Sequence, residues 1–333
     1  MPRSSPLKKS SGSELKVSVQ AVILAAIAWS TAALLFFLLF SVPLPGQGRP
    51  EWYGVTTYIL EDIAFLGAGI MCFRNWRSSQ IVSGRTVWLS IGLGMFSYFI
   101  GNLLLAYWEL GLQLQPDVSP GDIFFIATYV FLGWGMLQAV LSRRLSLTAA
   151  QWATLAGIAI GSIALAYVLA FSPAEAAPQS LLTDPASTLV ATTSPTIAQA
   201  EPVSPDVISQ VEEASPPIPA WADSINETLA PLSNFVGILY IVGDIILVII
   251  ATTLLLAFWG GRFSVSWRFI SAAALSFYIA DMWFYYATNY IENYQTGALP
   301  EVFWIFSGCL FAIGAALEYD LSTRSRRGAR KRT

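Results

Sequence analysis

Eight long runs of apolar residues constrain the fold of this chain more than any other feature. An α-helix needs about 20 residues to cross the hydrocarbon core of a bilayer, and the runs approach or exceed that length. They lack the polar face that surface helices of a soluble protein carry. They therefore predict eight transmembrane helices, over Val17–Val42, Trp52–Phe73, Val87–Trp108, Asp122–Leu141, Ala149–Phe171, Pro231–Phe258, Phe269–Tyr290 and Val302–Leu317.

The composition and the positions of the basic residues agree with this interpretation. Of the 333 residues, 55% are hydrophobic and 12% are charged, whereas a soluble chain carries about a quarter charged residues. Cytoplasmic loops of membrane proteins collect Lys and Arg. With eight crossings and a cytoplasmic N-terminus, each of the 18 Lys and Arg residues except Arg49 falls on the cytoplasmic side. We therefore expect an all-α integral membrane protein in the lipid bilayer, with both termini cytoplasmic.

Two segments differ in composition from the predicted spans. Residues 172–230 carry acidic residues, no basic ones and much Ala, Pro, Ser and Thr, which predicts a flexible acidic outer linker. A short helix near Asp206–Ser215 or Ala220–Thr228 is compatible with that sequence. Residues 321–333 form a basic cytoplasmic tail that suits anionic lipid headgroups, and so short a stretch predicts no nucleic-acid binding.

The chain contains an internal repeat. Ser97–Trp108 reads SYFIGNLLLAYW and Ser276–Ala287 reads SFYIADMWFYYA, which aligns Asn102 with Asp281 at an offset of 179. Further matches follow in order along four spans, at offsets of 131, 182 and 179: Ser41 with Ser172, Tyr58 with Tyr240, Asp62 with Asp244, Trp88 with Trp267, Asp122 with Glu301 and Gly135 with Gly314. This order predicts two parallel four-helix repeats, residues 1–144 and 145–320, with the linker 172–230 inserted into the second.

Acidic residues lie inside the predicted spans, where an ionised carboxylate is costly and indicates a functional site. Asp62, Asp244 and Asp281 lie about 15 Å from the outer ends of their spans at 1.5 Å per residue. Each repeat thus carries a polar pair, Asp62 with Asn102 and Asp244 with Asp281. No Lys, Arg or His accompanies these acids within the spans. The acids are therefore either protonated or matched by a cation from outside.

Aromatic residues accompany the predicted polar pairs. Tyr58 and Tyr240 precede Asp62 and Asp244 by four residues and so share their helix faces. Aromatic rings beside carboxylates suit a small cationic or amphipathic ligand. The predicted ligand-binding residues are Asp62, Asn102, Asp244, Asp281, Tyr58, Tyr240, Tyr278, Trp283 and Tyr285. Interhelical structural contacts are the alternative interpretation of these acids, and Asp122 and Glu301 are predicted as helix caps or an outer rim.

The sequence does not predict an enzyme or a cofactor. The chain contains no His, which excludes His-ligated haem, zinc or iron and Ser–His nucleophile pairs. Two aspartates in consecutive spans also occur in aspartic intramembrane proteases, where two carboxyls share a proton. The residues up to Asp244 read IVGD rather than Gly-x-Gly-Asp. We therefore expect no catalytic residues, no cofactor and no metal.

The loop that enters the fourth span carries a Trp, a Pro and an Asp followed by aromatic residues. The positions are Trp108, Pro120, Asp122, Phe124, Phe125 and Tyr129, with a second, less regular copy at Pro300, Glu301, Phe303 and Trp304. This pattern resembles the multi-pass membrane sensory regions that precede bacterial diguanylate cyclase and phosphodiesterase domains, over spans two to four and six to eight. The resemblance implies a signal-input module in a bacterial inner membrane or an internal membrane. Because only a basic tail follows Glu318, it also implies output through a partner protein at the cytoplasmic loops or tail.

The sequence leaves three functions open. The first is a sensory or partner-binding membrane protein with its site in the outer half of the bundle. The second is a small transporter or cation-coupled permease that uses Asp62, Asp244 and Asp281, although the inner halves of the spans offer few polar residues. The third is a structural or assembly subunit of a membrane complex, for which Gly157 and Gly161 would supply a close helix contact.

Overall fold

A computed structural model describes residues 18–42, 49–142, 147–171, 218–258, 264–291 and 294–330. Within these ranges the chain is all-helical and forms no strand. The α-helices are α1 (Val19–Phe40), α2 (Glu51–Arg77), α3 (Arg85–Ala106), α4 (Asp122–Leu141), α5 (Ala149–Phe171), α6 (Ala220–Leu229), α7 (Ser233–Ala257), α8 (Ser264–Tyr290) and α9 (Val302–Arg330). A π-helical turn (Tyr107–Gly111) follows α3, and 3-10 turns (Ala230–Leu232 and Leu299–Glu301) precede α7 and α9.

Seven helices are long and apolar enough to cross a membrane, namely α1, α2, α3, α4, α5, α7 and α9. The eighth long helix, α8, has 27 residues, and its many Tyr, Trp and Ser residues lower its hydropathy. The eight apolar runs of the sequence coincide with α1 to α5 and α7 to α9. The expected all-helical architecture is confirmed, and the seven apolar helices indicate a membrane location in contact with lipid.

Six helices form a closed ring. In order around it, α2 packs on α3, α3 on α4, α4 on α7, α7 on α8, α8 on α9, and α9 on α2. Large buried side chains fill the ring, among them Phe65, Trp88, Ile91, Met95, Leu132, Trp267, Ile270, Phe277 and Phe311. Two helices lie outside the ring, with α1 against α9 and α5 against α7.

The bundle has two chemically different ends, each formed by the starts of some ring helices and the ends of the others. We call the end at which α2, α4, α7 and α9 begin the carboxylate end, since Glu109, Asp122 and Glu301 lie there. We call the opposite end, which carries Arg74, Arg77 and Arg85, the arginine end. At each end of the bundle, a hydrogen bond connects α2 with a distant part of the chain. Tyr53 donates to the Gly297 carbonyl (2.6 Å) at the carboxylate end, and Asn75 donates to the Ala315 carbonyl (2.8 Å) towards the arginine end.

The two halves of the ring pack in the same way. The α2–α3 contact corresponds to α7–α8, the α3–α4 contact to α8–α9, and the α4–α7 contact to α9–α2. Two glycine contacts illustrate this. A Cβ on Gly135 would lie 2.9 Å from Ile91, and a Cβ on Gly314 would lie 2.7 Å from Ile270, with both pairs related by the offset of 179. The outer helices do not follow this correspondence, because α1 packs on α9 whereas α5 packs on α7 rather than on α4.

Two segments differ from their sequence-based boundaries. The end of the predicted linker 172–230 is helix α6, which the sequence allowed, and Trp108 Nε1 donates to the Asn226 side chain there (2.9 Å). Residues 172–217, with the alternative helix at Asp206–Ser215, lie outside the described residues. The basic tail continues α9 through Arg330. Its arginines are good helix formers, and Asp320 pairs with Arg324 one turn later (2.8 Å).

Candidate functional site

The carboxylates of Asp244 on α7 and Asp281 on α8 meet beside the hydroxyl of Tyr129 on α4. The Tyr129 oxygen lies 3.0 Å from Asp244 Oδ1 and 2.6 Å from Asp281 Oδ2. Trp304 Nε1 on α9 donates to Asp281 Oδ1 at 2.6 Å. Asp244 is 1% exposed. Four ring helices thus contribute to one buried site, and the structure brings together the predicted pair Asp244 and Asp281.

The hydrogen bonding of this pair is incomplete. A tyrosine hydroxyl carries a single proton and donates to one acceptor at a time, so Tyr129 satisfies either Asp244 or Asp281. The second short contact requires a proton on a carboxyl group or a shared cation. In addition, Asp244 Oδ2 is buried and accepts from no donor within the described part of the chain. The carboxyl groups of Asp244 and Asp281 lie in hydrogen-bonding contact with each other, which requires a proton or a cation between them. The two carboxylates therefore need an additional proton or a cation, which the described neighbouring residues do not supply.

The counterpart pair of the first repeat is less acidic. Asn102 Nδ2 donates to Asp62 Oδ1 at 3.1 Å, as the alignment of the two pairs predicts. The neighbouring Glu61 is buried and accepts a hydrogen bond from Tyr98 on α3. Sequence reasoning missed Glu61 and Tyr98, although Glu61 directly precedes Asp62 within an apolar span and thus carried the same signal.

Three further acids lie nearer to the carboxylate end. Each accepts a hydrogen bond from a tyrosine hydroxyl, in the pairs Tyr58–Glu109, Tyr240–Asp122 and Tyr294–Glu301. Tyr58 and Tyr240 share a helix face with Asp62 and Asp244, but their hydroxyls donate to Glu109 and Asp122 instead. Side chains of a helix point towards its N-terminus, so both phenols extend towards the carboxylate end and away from Asp62 and Asp244.

Asp122 and Glu301 also bind backbone amides at the starts of their helices. Asp122 Oδ2 accepts from the Ser119 amide (2.7 Å), and Glu301 accepts from the amides of Gly297 (2.7 Å) and Ala298 (3.1 Å). A carboxylate at this place satisfies free N–H groups and interacts favourably with the helix dipole. Burial and the nearby Glu301 carboxylate raise the pKa of Tyr294, which lies in the loop before α9.

The three deep aromatic residues of α8 do not form one cage around Asp281. The Tyr278 hydroxyl faces Ser162 of α5, Trp283 Nε1 donates to the Tyr294 hydroxyl (3.3 Å), and the Tyr285 ring packs near Gly237 of α7. Successive helical residues turn by about 100°, which sends these side chains to different neighbours. The aromatic rings near the acidic pair are Tyr129 of α4, Tyr240 of α7, Phe277 of α8 and Trp304 of α9. Three of these four residues lie on helices other than α8.

The described cations do not neutralise these acids by direct contact. Arg49 is the cation at the carboxylate end, and its guanidinium binds the carbonyls of Ser41 (2.9 Å), Gln295 (2.6 Å) and Thr296 (2.9 Å). Among the described residues, no group of three or more Asp, Glu, Cys or His side chains is arranged to hold a metal ion. The seven acids described above therefore contact phenol, indole and amide donors rather than basic side chains.

Comparison with known proteins adds no family to this description. No protein-family model, curated protein or solved structure matches the chain. The resemblance to bacterial sensory regions, which is carried by Trp108, Pro120 and Asp122, stays a prediction. The geometry of the Asp244–Asp281 site is the basis for the function proposed below.

Proposed function

We propose that this protein is a non-enzymatic membrane sensor that binds a small cation between Asp244 and Asp281. One observation carries the proposal: Tyr129 contacts both carboxylates with a single proton, the two carboxyl groups contact each other, and Asp244 Oδ2 accepts from no donor among the described residues. Burial of an unpaired polar group or charge is costly. A cation between the two carboxylates would supply the missing charge and complete the coordination of these oxygens.

The proposed architecture is an eight-span bundle of two parallel four-helix repeats, with both termini cytoplasmic, in a bacterial inner membrane or an internal membrane. The correspondence of ring contacts between α2–α4 and α7–α9 supports the repeat. The gathering of Arg74, Arg77 and Arg85 at one end supports a cytoplasmic arginine end. The cation site then lies in the outer half of the bundle, about 15 Å inside the outer ends of α7 and α8.

The packing around the site favours a small cation over a bulky amphipathic ligand. The Tyr129 ring lies directly against Gly243, where even a Cβ would come within 2.6 Å of it. The Tyr129 ring also contacts Tyr240 and Phe277, each with ring centroids 5.7 Å apart. These rings leave little room for a large molecule, and their faces attract cations when water is excluded.

The interior of the ring favours binding over transport. Buried apolar side chains, including Trp88, Ile91, Trp267 and Ile270, lie between the acidic pair and the arginine end. A cation that crossed this layer would lose its polar partners at a cost of several kcal/mol. Transport is the second candidate because Glu318 supplies a buried acid near the arginine end, where it accepts from Ser83 (2.7 Å) and Ser322 (3.3 Å).

A single helix connects the site with the predicted output surface. Trp304, which binds Asp281, belongs to α9, and α9 extends without interruption from Val302 to Arg330. A change in occupancy of the acidic pair that moves Trp304 would also move the basic end of this helix. We therefore propose that a protein partner at the cytoplasmic loops or tail reads the position of α9.

The test uses the full chain in lipid nanodiscs and measures the midpoint of thermal unfolding in Na⁺, K⁺ or tetramethylammonium chloride. Tetramethylammonium chloride serves as the control salt, because its bulky cation keeps the ionic strength constant and is too large for the proposed site. A ligand that binds the folded state raises its stability with concentration, so we expect one of the small cations to raise Tm. The Asp244→Asn variant should lose this response. The Asp320→Asn variant, which alters an acid beyond the ring, should keep it.

Three other outcomes of these experiments would reject or change the proposal. Equal responses of wild type and Asp244→Asn, or no response to any cation, would reject cation binding at this pair. Stabilisation by acid alone, lost in Asp244→Asn, would show that a proton occupies the site instead. Cation uptake into proteoliposomes that Asp281→Asn abolishes would replace sensing by transport.

A further inference from the structure

Helix α1 occupies an outer groove of the ring between α9 and α2. It covers Val302, Cys309 and Ile313 of α9 and Ala64 of α2, which are 2%, 4%, 5% and 5% exposed. Trp29 Nε1 of α1 donates to the Leu60 carbonyl of α2 (2.9 Å). Ser30 of α1 lies in hydrogen-bonding contact with the Cys309 thiol. This groove is thus filled by a transmembrane helix of the same chain.

The corresponding groove between α4 and α7 is open. The offset of 179 leads from the three covered residues of α9 to Ile123, Val130 and Trp134 on α4, which are 68%, 63% and 55% exposed. The offset of 182 leads from Ala64 to Ile246 on α7, which is 48% exposed. Lipid covers apolar residues of this kind equally well, so their exposure alone does not indicate a partner. The indication comes from the occupied groove on the other side of the ring.

Helix α5 corresponds to α1 but lies one groove away. It packs on α7 and α8 through buried residues that include Ser162 and Ala166. Most of its remaining surface faces outward, and a Cβ on Gly157 or Gly161 would meet no atom within 4 Å. The open groove and the outward face of α5 are neighbours, because both border α7.

We propose that the groove between α4 and α7 binds α5 of a second copy of this chain, which makes the protein a two-fold dimer in the membrane. A ridge beside a groove is complementary to itself under a two-fold rotation, as a closed dimer requires. With the axis along the membrane normal, the incoming α5 runs antiparallel to α4, as α1 runs antiparallel to α9. The small residues Gly157 and Gly161 allow the close approach on which helix packing in lipid depends.

The repeat also predicts which residues meet. The offset of 131 leads from Ser30 to Gly161, and the offset of 179 leads from Cys309 to Val130. The contact between Ser30 and Cys309 within one copy therefore has its counterpart between Gly161 of one copy and Val130 of the other. This inference depends on the internal repeat of the proposed architecture and is independent of cation binding at Asp244 and Asp281.

Disulfide formation in native membranes tests this contact. Two differently tagged full-length chains are co-expressed with Cys72→Ala and Cys309→Ala, one carrying Gly161→Cys and the other Val130→Cys. Oxidation should join the two tags in one covalent dimer. The matched control replaces Val130→Cys by Ile70→Cys, on an exposed part of α2 (53%), and should give no mixed dimer. A Ser30→Cys variant that keeps Cys309 reports within one copy that the helices are folded.

The results separate the occupants of the groove. A mixed dimer that requires both cysteines supports the second copy. A single chain that carries both Gly161→Cys and Val130→Cys and oxidises only within itself would show that its own α5 fills the groove, which overturns the proposal. No crosslink in either design, with the Ser30→Cys control intact, would mean that lipid covers the groove and would equally overturn it. Each of these results leaves the cation response of the proposed sensor unaffected.

Discussion

Gly243 of α7 lies against the ring of Tyr129 on α4, so that a Cβ at position 243 would lie 2.6 Å from Tyr129 Cδ1. The ring cannot move aside cheaply, because its hydroxyl contacts two carboxylates. We therefore expect Gly243→Ala to destabilise the protein by about 1–3 kcal/mol and to weaken any cation response. Unfolding in mixed micelles measures the first effect and the Tm shift in nanodiscs the second.

The matched control for this substitution is Gly237→Ala on the same helix. Its Cβ would lie 3.8 Å from the Tyr285 ring, an ordinary contact. Alanine is the better helix former by about 1 kcal/mol, so Gly237→Ala should be neutral or slightly stabilising. Equal losses in the two variants would show that the contact with Tyr129 is not the cause.

The Tyr129 hydroxyl should couple energetically to Asp244. Tyr129→Phe removes the donor of the site and leaves buried carboxylate oxygens with fewer partners, at a cost of about 1–3 kcal/mol. Because Asp244→Asn affects the same contact, the double variant should lose less stability than the sum of the single ones. A double-mutant cycle in unfolding free energy measures the difference. Tyr286→Phe, on a 40% exposed ring, is the control and should change stability by less than about 0.5 kcal/mol.

The close glycine contacts of the ring should be equally sensitive in its two halves. Gly135→Ala would place a Cβ 2.9 Å from Ile91, and Gly314→Ala would place one 2.7 Å from Ile270. We expect both variants to lose about 1–3 kcal/mol of stability. Gly133→Ala, with the nearest atom at 3.9 Å, should be tolerated. Sensitivity at only one of the two positions would contradict equivalent packing of the two halves.

The positions of the helices, and of the acids along them, could be predicted from the sequence because both depend on local features. Length and apolar character locate the helices, and a rise of 1.5 Å per residue gives the distance of Asp62 or Asp244 from the helix end. The alignment at offset 179 also related Asn102 to Asp281, and both hydrogen-bond a neighbouring carboxylate or phenol in the structure. These features require no knowledge of how helices pack.

The partners of the acids depended on packing between distant segments and could not be predicted in the same way. Tyr129 and Trp304 reach Asp281 from α4 and α9, and Thr296 reaches Glu109 (3.1 Å) from a loop 187 residues away. The position of α5 against α7 and α8 could not be predicted either, because the repeat predicts that α5 lies between α4 and α7, as α1 lies between α9 and α2. Only the assembled ring distinguishes these arrangements.

The alkaline stability of the protein should depend on Tyr294. The pKa of this phenol is raised above its ordinary value of 10.0 by burial, with a further contribution from Glu301. The folded state therefore holds the proton more tightly than the unfolded state. This contribution to stability is complete below pH 10 and is lost as the pH rises above it.

Tyr294→Phe tests this pH dependence, because it removes the hydroxyl group and keeps the aromatic side chain. The variant should be less stable than wild type at neutral pH, because Glu301 loses a hydrogen bond worth about 1 kcal/mol or more. It should also lose less stability than wild type above pH 10. Unfolding free energies measured from pH 8 to about pH 11 in steps provide both values, and parallel curves for the two proteins would contradict a raised pKa at Tyr294.

The orientation of the bundle should be visible in the labelling of two exposed glutamines at opposite ends. Gln115 lies in the loop between α3 and α4 at the carboxylate end, and Gln80 lies between α2 and α3 at the arginine end. If the arginine end is cytoplasmic, a membrane-impermeant maleimide should label Gln115→Cys on spheroplasts and should label Gln80→Cys only after the membrane is opened. The natural thiols of Cys72 and Cys309 are buried and give a low background. The reverse pattern would invert the proposed topology, and labelling of both positions from one side would contradict a membrane-spanning α3.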